Sequence, residues 1–307
     1  AAISVGSAGY IGMFLALPEP VLIAGVVLAM GAVAGQGIKQ SVSFAAAMTV
    51  IEVGGLLLLI LAGMASGPDL VARLPEALPP LGDSGVLAGI MGTALLAVFA
   101  FIGFESLANV AEEVREPQRT LPLAIFLTLG LSTLLYVVVV WVALVTVPPA
   151  ELAQSKAPLA LVFERLTGAS PRTMSLVAIV ATLNGIIVQI IMSSRVLYGL
   201  ARQGDLPAAF GAVNKITRTP LNATAITTGL VLLLAVLLPL QHLADLTSRI
   251  TLIVFALVNL ALIRIKARAR PGPPGAYAAP VWMPWAALVA CAALLIIDTA
   301  LTVGAMI

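Results

Sequence analysis

Apolar residues come in long blocks along this chain, and Pro, Gly and charge clusters separate them. The blocks cover residues 1–17, 21–35, 44–64, 86–110, 121–147, 173–200, 223–238, 243–265 and 285–306. Many approach the ~20 residues that a helix needs to cross a bilayer. The period-2 alternation of barrel strands is absent. The pattern therefore predicts an all-α polytopic membrane protein with eight whole or nearly whole helices after a partial first one. Blocks 21–35 and 223–238 are short and need a few neutral flanking residues to span. Block 1–17 reads as the end of a helix with no charged start. The chain is therefore expected to begin within a longer protein, and one reading also ends its last block short of the natural terminus.

The polar segments between blocks alternate in charge. Lys39, Arg115, Arg119, Arg202, Lys215, Arg218, Arg264, Lys266, Arg268 and Arg270 fall on one side, and Arg73, Lys156, Arg165 and Arg172 on the other. By the positive-inside rule the first side faces the cytoplasm. The alternation supports the helix count independently of hydropathy.

Composition agrees. Of 307 residues 61% are hydrophobic and 10% charged, against about 25% charged in soluble domains. The net charge is +2, and its concentration in loops suits orientation in a bilayer, not nucleic-acid binding. One cysteine, Cys291, excludes an intrachain disulfide, and its place inside a block argues against a disulfide-linked partner. One histidine, His242, excludes zinc sites built on several His or Cys ligands. No cofactor is expected. No nucleophile–base constellation marks an enzyme.

Two acids lie deep in apolar blocks. Phe99-Ala100-Phe101-Ile102-Gly103-Phe104-Glu105-Ser106 sets a glycine and a carboxylate among aromatics, and Glu52 lies in Thr49-Val50-Ile51-Glu52-Val53-Gly54-Gly55. An acid at the centre of a span costs about 2.5–3.5 kcal/mol on insertion scales and marks a candidate functional site. Gly103 permits non-helical backbone, so a helix broken around a small-molecule site is one reading. The other is a packed glycine–aromatic crossing with Glu105 bonded to a neighbouring helix. On a continuous helix, Glu105, Asn109 and Glu112 would share one face.

The segment running on through Glu112-Glu113-Val114-Arg115-Glu116-Pro117-Gln118-Arg119-Thr120-Leu121-Pro122 resembles the sixth helix and following loop of the amino acid–polyamine–organocation permeases. Ser194-Arg195-Val196-Leu197-Tyr198-Gly199-Leu200-Ala201-Arg202-Gln203-Gly204-Asp205-Leu206-Pro207, then Thr219-Pro220-Leu221-Asn222-Ala223, resembles the end of that family's eighth helix and the start of its ninth. Leu243-Ala244-Asp245-Leu246-Thr247-Ser248 is similar to the start of the tenth.

The resemblance implies a LeuT-type fold of inverted repeats, with residues 1–307 as one transporter domain, from the end of helix three through helix eleven. Helices one and two would be missing. It implies secondary transport of amino acids or related amines across the cytoplasmic membrane, with a non-transporting sensor or scaffold on the same fold as the alternative. It places Phe99 as an aromatic lid, Ile102 and Gly103 at the substrate, Glu105 at the gate, and Asn109 on the inward path. On the eighth helix it places Gln189 near the substrate cavity and Asn184 deeper, towards the fifth helix.

Glu52 departs from the pattern, because several members carry a lysine there whose charge stands in for sodium. Burial favours the neutral form of a carboxyl, so Glu52 can be read as a proton carrier. It can also be read as an oxygen ligand for a monovalent cation, or as a structural bond to another helix. Asn184 and Gln189 carry the same alternative of plain interhelical bonding. Asp245 and Arg249 read as an i, i+4 brace, and Asp298 has no evident partner.

Overall fold

The computed structural model describes residues 1–37, 42–66, 72–80, 82–107, 114–268 and 277–304. Among them the α-helices are α1 (Ala2–Ile11), α2 (Glu19–Gly35), α3 (Val42–Ala65), α4 (Ser84–Gly92), α5 (Ala94–Phe101), α6 (Pro117–Thr146), α7 (Pro149–Gln154), α8 (Pro158–Thr167), α9 (Arg172–Gln203), α10 (Leu221–Leu237), α11 (Leu240–Ala267) and α12 (Trp282–Gly304). By length and composition six segments can cross a membrane: Ala47–Ala65, Gly85–Leu107, Pro117–Thr146, Arg172–Gln203, Leu240–Ala267 and Trp282–Leu301. Each matches an expected block. The other three blocks are the shorter apolar helices α1, α2 and α10.

The differences are local and have physical causes. Helix α6 starts at Pro117, four residues before its apolar block. Proline is favoured at the first helical position because its missing N–H would have no intrahelical partner there. The polar run Gln118-Arg119-Thr120, expected as loop, is thus the first turn of a helix. The segment between α6 and α9 holds two short helices, α7 and α8, each also opened by a proline. Helix α8 was masked by its charged ends, yet it buries Ala160, Val162 and Phe163.

The chain forms two compact units. The first comprises Ala1–Ala77 and Val138–Leu243, and the second Leu78–Val137 and Ala244–Ile307. In the first, Ala8 of α1 packs with Leu22, Ile23 and Val27 of α2 and Ala235 of α10. On another face of α2, Val26 and Ala34 meet Ile186, Ile187 and Ile190 of α9. Polar contacts tie the ends of these helices. Lys156 pairs with Glu19, and Arg165 with Glu151. At the opposite ends, the Thr219 hydroxyl donates to the Gly35 carbonyl at 2.8 Å. Lys39 and Arg270, used in the charge pattern, lie outside the described residues.

In the second unit Leu95 of α5, Leu252 of α11 and Cys291 of α12 form a buried cluster. Arg249 of α11 reaches Asp298 of α12, which corrects the expected brace with Asp245. Its Nη2 donates to Oδ1 at 3.1 Å. Its Nε lies 2.8 Å from Oδ2 but off the hydrogen-bond line. One bond and the charge attraction hold the pair.

Helix α3 approaches α9 through Gly55. A Cβ on Gly55 would stand 2.4 Å from Cγ1 of Val177, well inside contact distance. Gly55→Ala is expected to lower the thermal stability of the detergent-purified protein by about 1–3 kcal/mol through overpacking. Adding Val177→Ala should restore most of the loss. Equal stability of wild type and Gly55→Ala in a melting experiment would contradict the close approach.

Candidate functional site

The span that begins with α4 is broken twice. At Thr93 the hydroxyl bonds back to the carbonyls of Gly89 (3.2 Å) and Ile90 (3.1 Å), a competition with the backbone that bends helices. The second break follows Phe101. Ile102 is extended, with φ −66° and ψ 134°, and Gly103 has φ +133°. A turn of 3-10 helix covers 104–107. No neighbouring atom lies within 4 Å of where a Cβ on Gly103 would stand. The backbone angle alone, not crowding, calls for glycine there.

A helix end leaves backbone groups unpaired, and at membrane depth water does not reach them unless a cavity does. Here side chains supply partners. The Gly103 N–H donates to Oε2 of Glu105 at 2.7 Å. The Ile102 N–H bonds to the Phe99 carbonyl at 3.2 Å. The Tyr136 hydroxyl of α6 donates to the Ala100 carbonyl at 3.0 Å, and its ring meets Phe101 edge-on at 5.3 Å. One turn earlier, the buried Ser248 hydroxyl of α11 donates to the Leu95 carbonyl at 2.7 Å. The Glu105 carboxylate thus folds back onto the break. The continuation through Asn109 and Glu112 lies outside the described residues.

Beside the break is a cavity of about 260 Å³ lined by Ala97, Val98, Phe101, Ile102, Phe104 and Phe255. The rings of Phe104 and Phe255 lie 5.7 Å apart. Of the residues expected at the substrate, Ile102 lines this cavity, Gly103 and Glu105 form the break next to it, and Phe99 is half-buried on α5 outside its lining. Phe255, Tyr136 and Ser248 were not singled out by sequence. Ser248 belongs to the segment that resembles the tenth helix. Phe255 and Tyr136 lie in uniformly apolar runs with nothing local to distinguish them.

The first unit carries the other candidates. Asn184 of α9 donates from Nδ2 to Oε1 of Glu52 on α3 at 2.9 Å, and the pair is half-buried. Asn184 Oδ1 is buried without a hydrogen-bond partner. The two residues expected to act together do meet, at the helix approach that Gly55 permits. The Asn184 amide N–H serves the Glu52 carboxylate, and the amide oxygen of the same side chain meets no donor. Gln189 lies five residues further along α9 and is exposed. Among the described residues no three or more His, Cys, Asp and Glu come together as metal ligands.

Comparison with known proteins places this geometry. Residues 2–305 match the family described as Amino acid permease. A cationic amino acid transporter of Arabidopsis thaliana, named as vacuolar, is 32% identical over 75% of this chain and 36% of its own length. A branched-chain amino acid permease of Bacillus subtilis is 29% identical over 91% of this chain and 63% of its own length. A methylthioribose transporter of the same bacterium is 27% identical over 83% of this chain and 53% of its own. The chain thus spans from about a third to under two thirds of the length of these relatives.

The positive φ of Gly103 yields a test. Gly103→Ala is expected to cost about 1–3 kcal/mol of stability through backbone strain, although no atom stands in the way. An unshifted melting midpoint would mean that the backbone at residue 103 is not held in this conformation.

Proposed function

The chain belongs to the amino acid permease family, and from that premise we propose that the whole protein carries an amino acid or related amine across the cytoplasmic membrane by secondary transport. The family is one of transporters, not enzymes, and the chain is a multi-pass membrane protein. The observation that carries the proposal is the break at Ile102–Gly103 inside a candidate span, with the Glu105 carboxylate folded onto the Gly103 amide.

The C-terminal end of α5 bears partial negative charge, and Glu105 adds a full one. Such an end suits the ammonium of an amino acid or amine. Broken helices of this kind line the sites of secondary transporters, where access alternates between the two sides. Gly103 permits the break, Ile102 contacts the substrate, Phe99 closes over it, and Glu105 shapes the gate. Gln189 contributes a polar contact from α9, and Asn109 lines the path. A LeuT-type inverted-repeat arrangement is the fold that this reading implies, with residues 1–307 as part of one transporter domain. The relatives named for cationic amino acids, branched-chain amino acids and methylthioribose support an amino acid or related solute as the cargo.

Glu52 and Asn184 are the coupling pair in this proposal. Their shortage of donors supports a proton or monovalent cation that binds and leaves during the cycle. Symport and exchange are both compatible with it.

Uptake into proteoliposomes holding the whole protein, with a panel of labelled amino acids and amines and with or without a proton gradient, tests the function. Accumulation or exchange of at least one is expected. None for any of them would overturn the transporter reading in favour of a sensor or scaffold. Glu52→Gln is expected to alter the pH or cation dependence of uptake, and Asn184→Ala to alter it in the same sense. A dependence unchanged in both would remove the pair from coupling.

A further inference from the structure

We propose that the turn between α9 and α10 docks on the cytoplasmic leaflet, with Ile216 entering the membrane surface and Lys215 and Arg218 binding the phosphates of anionic phospholipids. This surface lies outside the residues assigned to transport, and its role does not depend on what the protein carries.

Hydrogen bonds hold the turn in one shape. The Asn214 side-chain oxygen accepts from the N–H groups of Ile216 at 2.9 Å and Thr217 at 3.1 Å, as asparagine does when it mimics a backbone turn. The Asn214 N–H donates to the Thr219 carbonyl, and the Arg218 N–H to the Asn214 carbonyl, both at 2.9 Å. The turn is also fastened to the end of α2. Thr219 bonds to the Gly35 carbonyl. The Thr217 carbonyl oxygen lies 2.2 Å from where a Cβ on Gly37 would stand, so only glycine fits that approach.

What this fixed turn presents is apolar and cationic. Ile216 is 91% exposed, and Val213 nearby is exposed too. Lys215 and Arg218 are exposed on either side of Ile216, and among the described residues neither meets a carboxylate. The turn carries no acid, and the segment from Gly204 to Pro220 has one, Asp205. Cations that the charge pattern assigns to the outer side are treated differently. Lys156 pairs with Glu19, Arg165 with Glu151 and Arg73 with Glu76. Arg172 lies over the Phe14 ring, 5.9 Å from its centroid. There the protein supplies a partner for each charge. At the 215–218 turn it supplies none, which leaves both charges to groups outside the chain.

The depth of the turn is that of lipid headgroups. Helix α10 begins at Leu221, two residues past Thr219, and α2 ends at Gly35, to which Thr219 is bonded. Both are apolar helices, so the turn lies where apolar helix gives way to water. The positive-inside rule puts that end at the cytoplasm. Isoleucine gains free energy on leaving water for an apolar layer, and each Lys or Arg beside an anionic leaflet strengthens binding about fivefold. A single apolar tip between two cations suits a fluid surface with phosphates above and hydrocarbon below. It offers no groove for a shaped protein partner.

Two measurements on the whole protein test this, in nanodiscs of phosphatidylcholine alone and in discs that also contain phosphatidylglycerol. Backbone hydrogen exchange at residues 215–218 of the unaltered sequence is expected to be severalfold slower in the anionic discs. The slowing is expected to vanish in high salt, which screens the charges, and in the Lys215→Gln/Arg218→Gln double variant. The replaced side chains make no bond among the described residues, so the fold does not depend on them. In the second measurement a polarity-sensitive fluorophore is attached at Ile216→Cys, in a background without other reactive cysteines. It is expected to be quenched in the anionic discs by lipids spin-labelled near the headgroup.

Equal exchange in the two kinds of disc would overturn the proposal. So would slowing that persists in the double variant, since the cations would then not be the contact. A fluorophore at residue 216 that emits as in water and escapes the lipid quencher would overturn it as well, and would leave the turn to a soluble partner. None of these readouts involves transport, so their failure leaves the transporter reading standing.

Discussion

A helix that stops at membrane depth frees backbone groups that hydrocarbon cannot solvate. The end of α5 meets that constraint with side chains. Glu105 takes the Gly103 amide, and Tyr136 covers the Ala100 carbonyl. Ser248 fastens the preceding turn. The acid that looked costly in an apolar block is thus also a partner for the break beside it. Glycine and glutamate belong together: one allows the backbone angle, and the other satisfies the amide that the angle releases. The cavity beside them is lined by α5, by Ile102 and Phe104 of the break, and by Phe255 of α11.

The other polar residues in apolar spans find partners on different helices, but the pairs differ in kind. Arg249 and Asp298 balance in charge. Such a pair ties α11 to α12 by charge, although the Arg249 Nε–H makes no hydrogen bond. Glu52 and Asn184 do not balance: the Asn184 amide N–H serves the carboxylate, and the amide oxygen is left without a partner. This asymmetry distinguishes a pair read as a coupling site from one read as a brace. The hydroxyls of Thr182 and Ser7, 3.0 Å apart across α9 and α1, belong with the braces.

The order of helices, their apolar character and the family were all legible in the sequence. Hydropathy survives any packing arrangement, and the stretch from Phe99 to Glu105 stands out by its glycine and its acid. Element limits were less legible where propensity and polarity disagree. Pro117 starts a helix although polar residues follow it, and α8 hides a buried apolar stripe behind charged ends.

The sequence by itself determined that the chain lies in a membrane as helices and that two acids stand where acids are costly, while it left open whether the helix at Gly103 breaks. Only the tertiary structure decided what those groups meet. Asn184 lies 132 residues from Glu52 in the chain, and Asp298 lies 49 from Arg249. Whether Glu52 can reach Asn184 depends on how closely two helices approach, and Gly55 leaves room for Val177 in that approach. Phe255 is one apolar residue among many along α11, and it becomes a wall of the cavity only when that helix lies beside the break. Hydrophobic patterning is a property of one segment at a time. A polar atom's partner and a cavity's wall are properties of two.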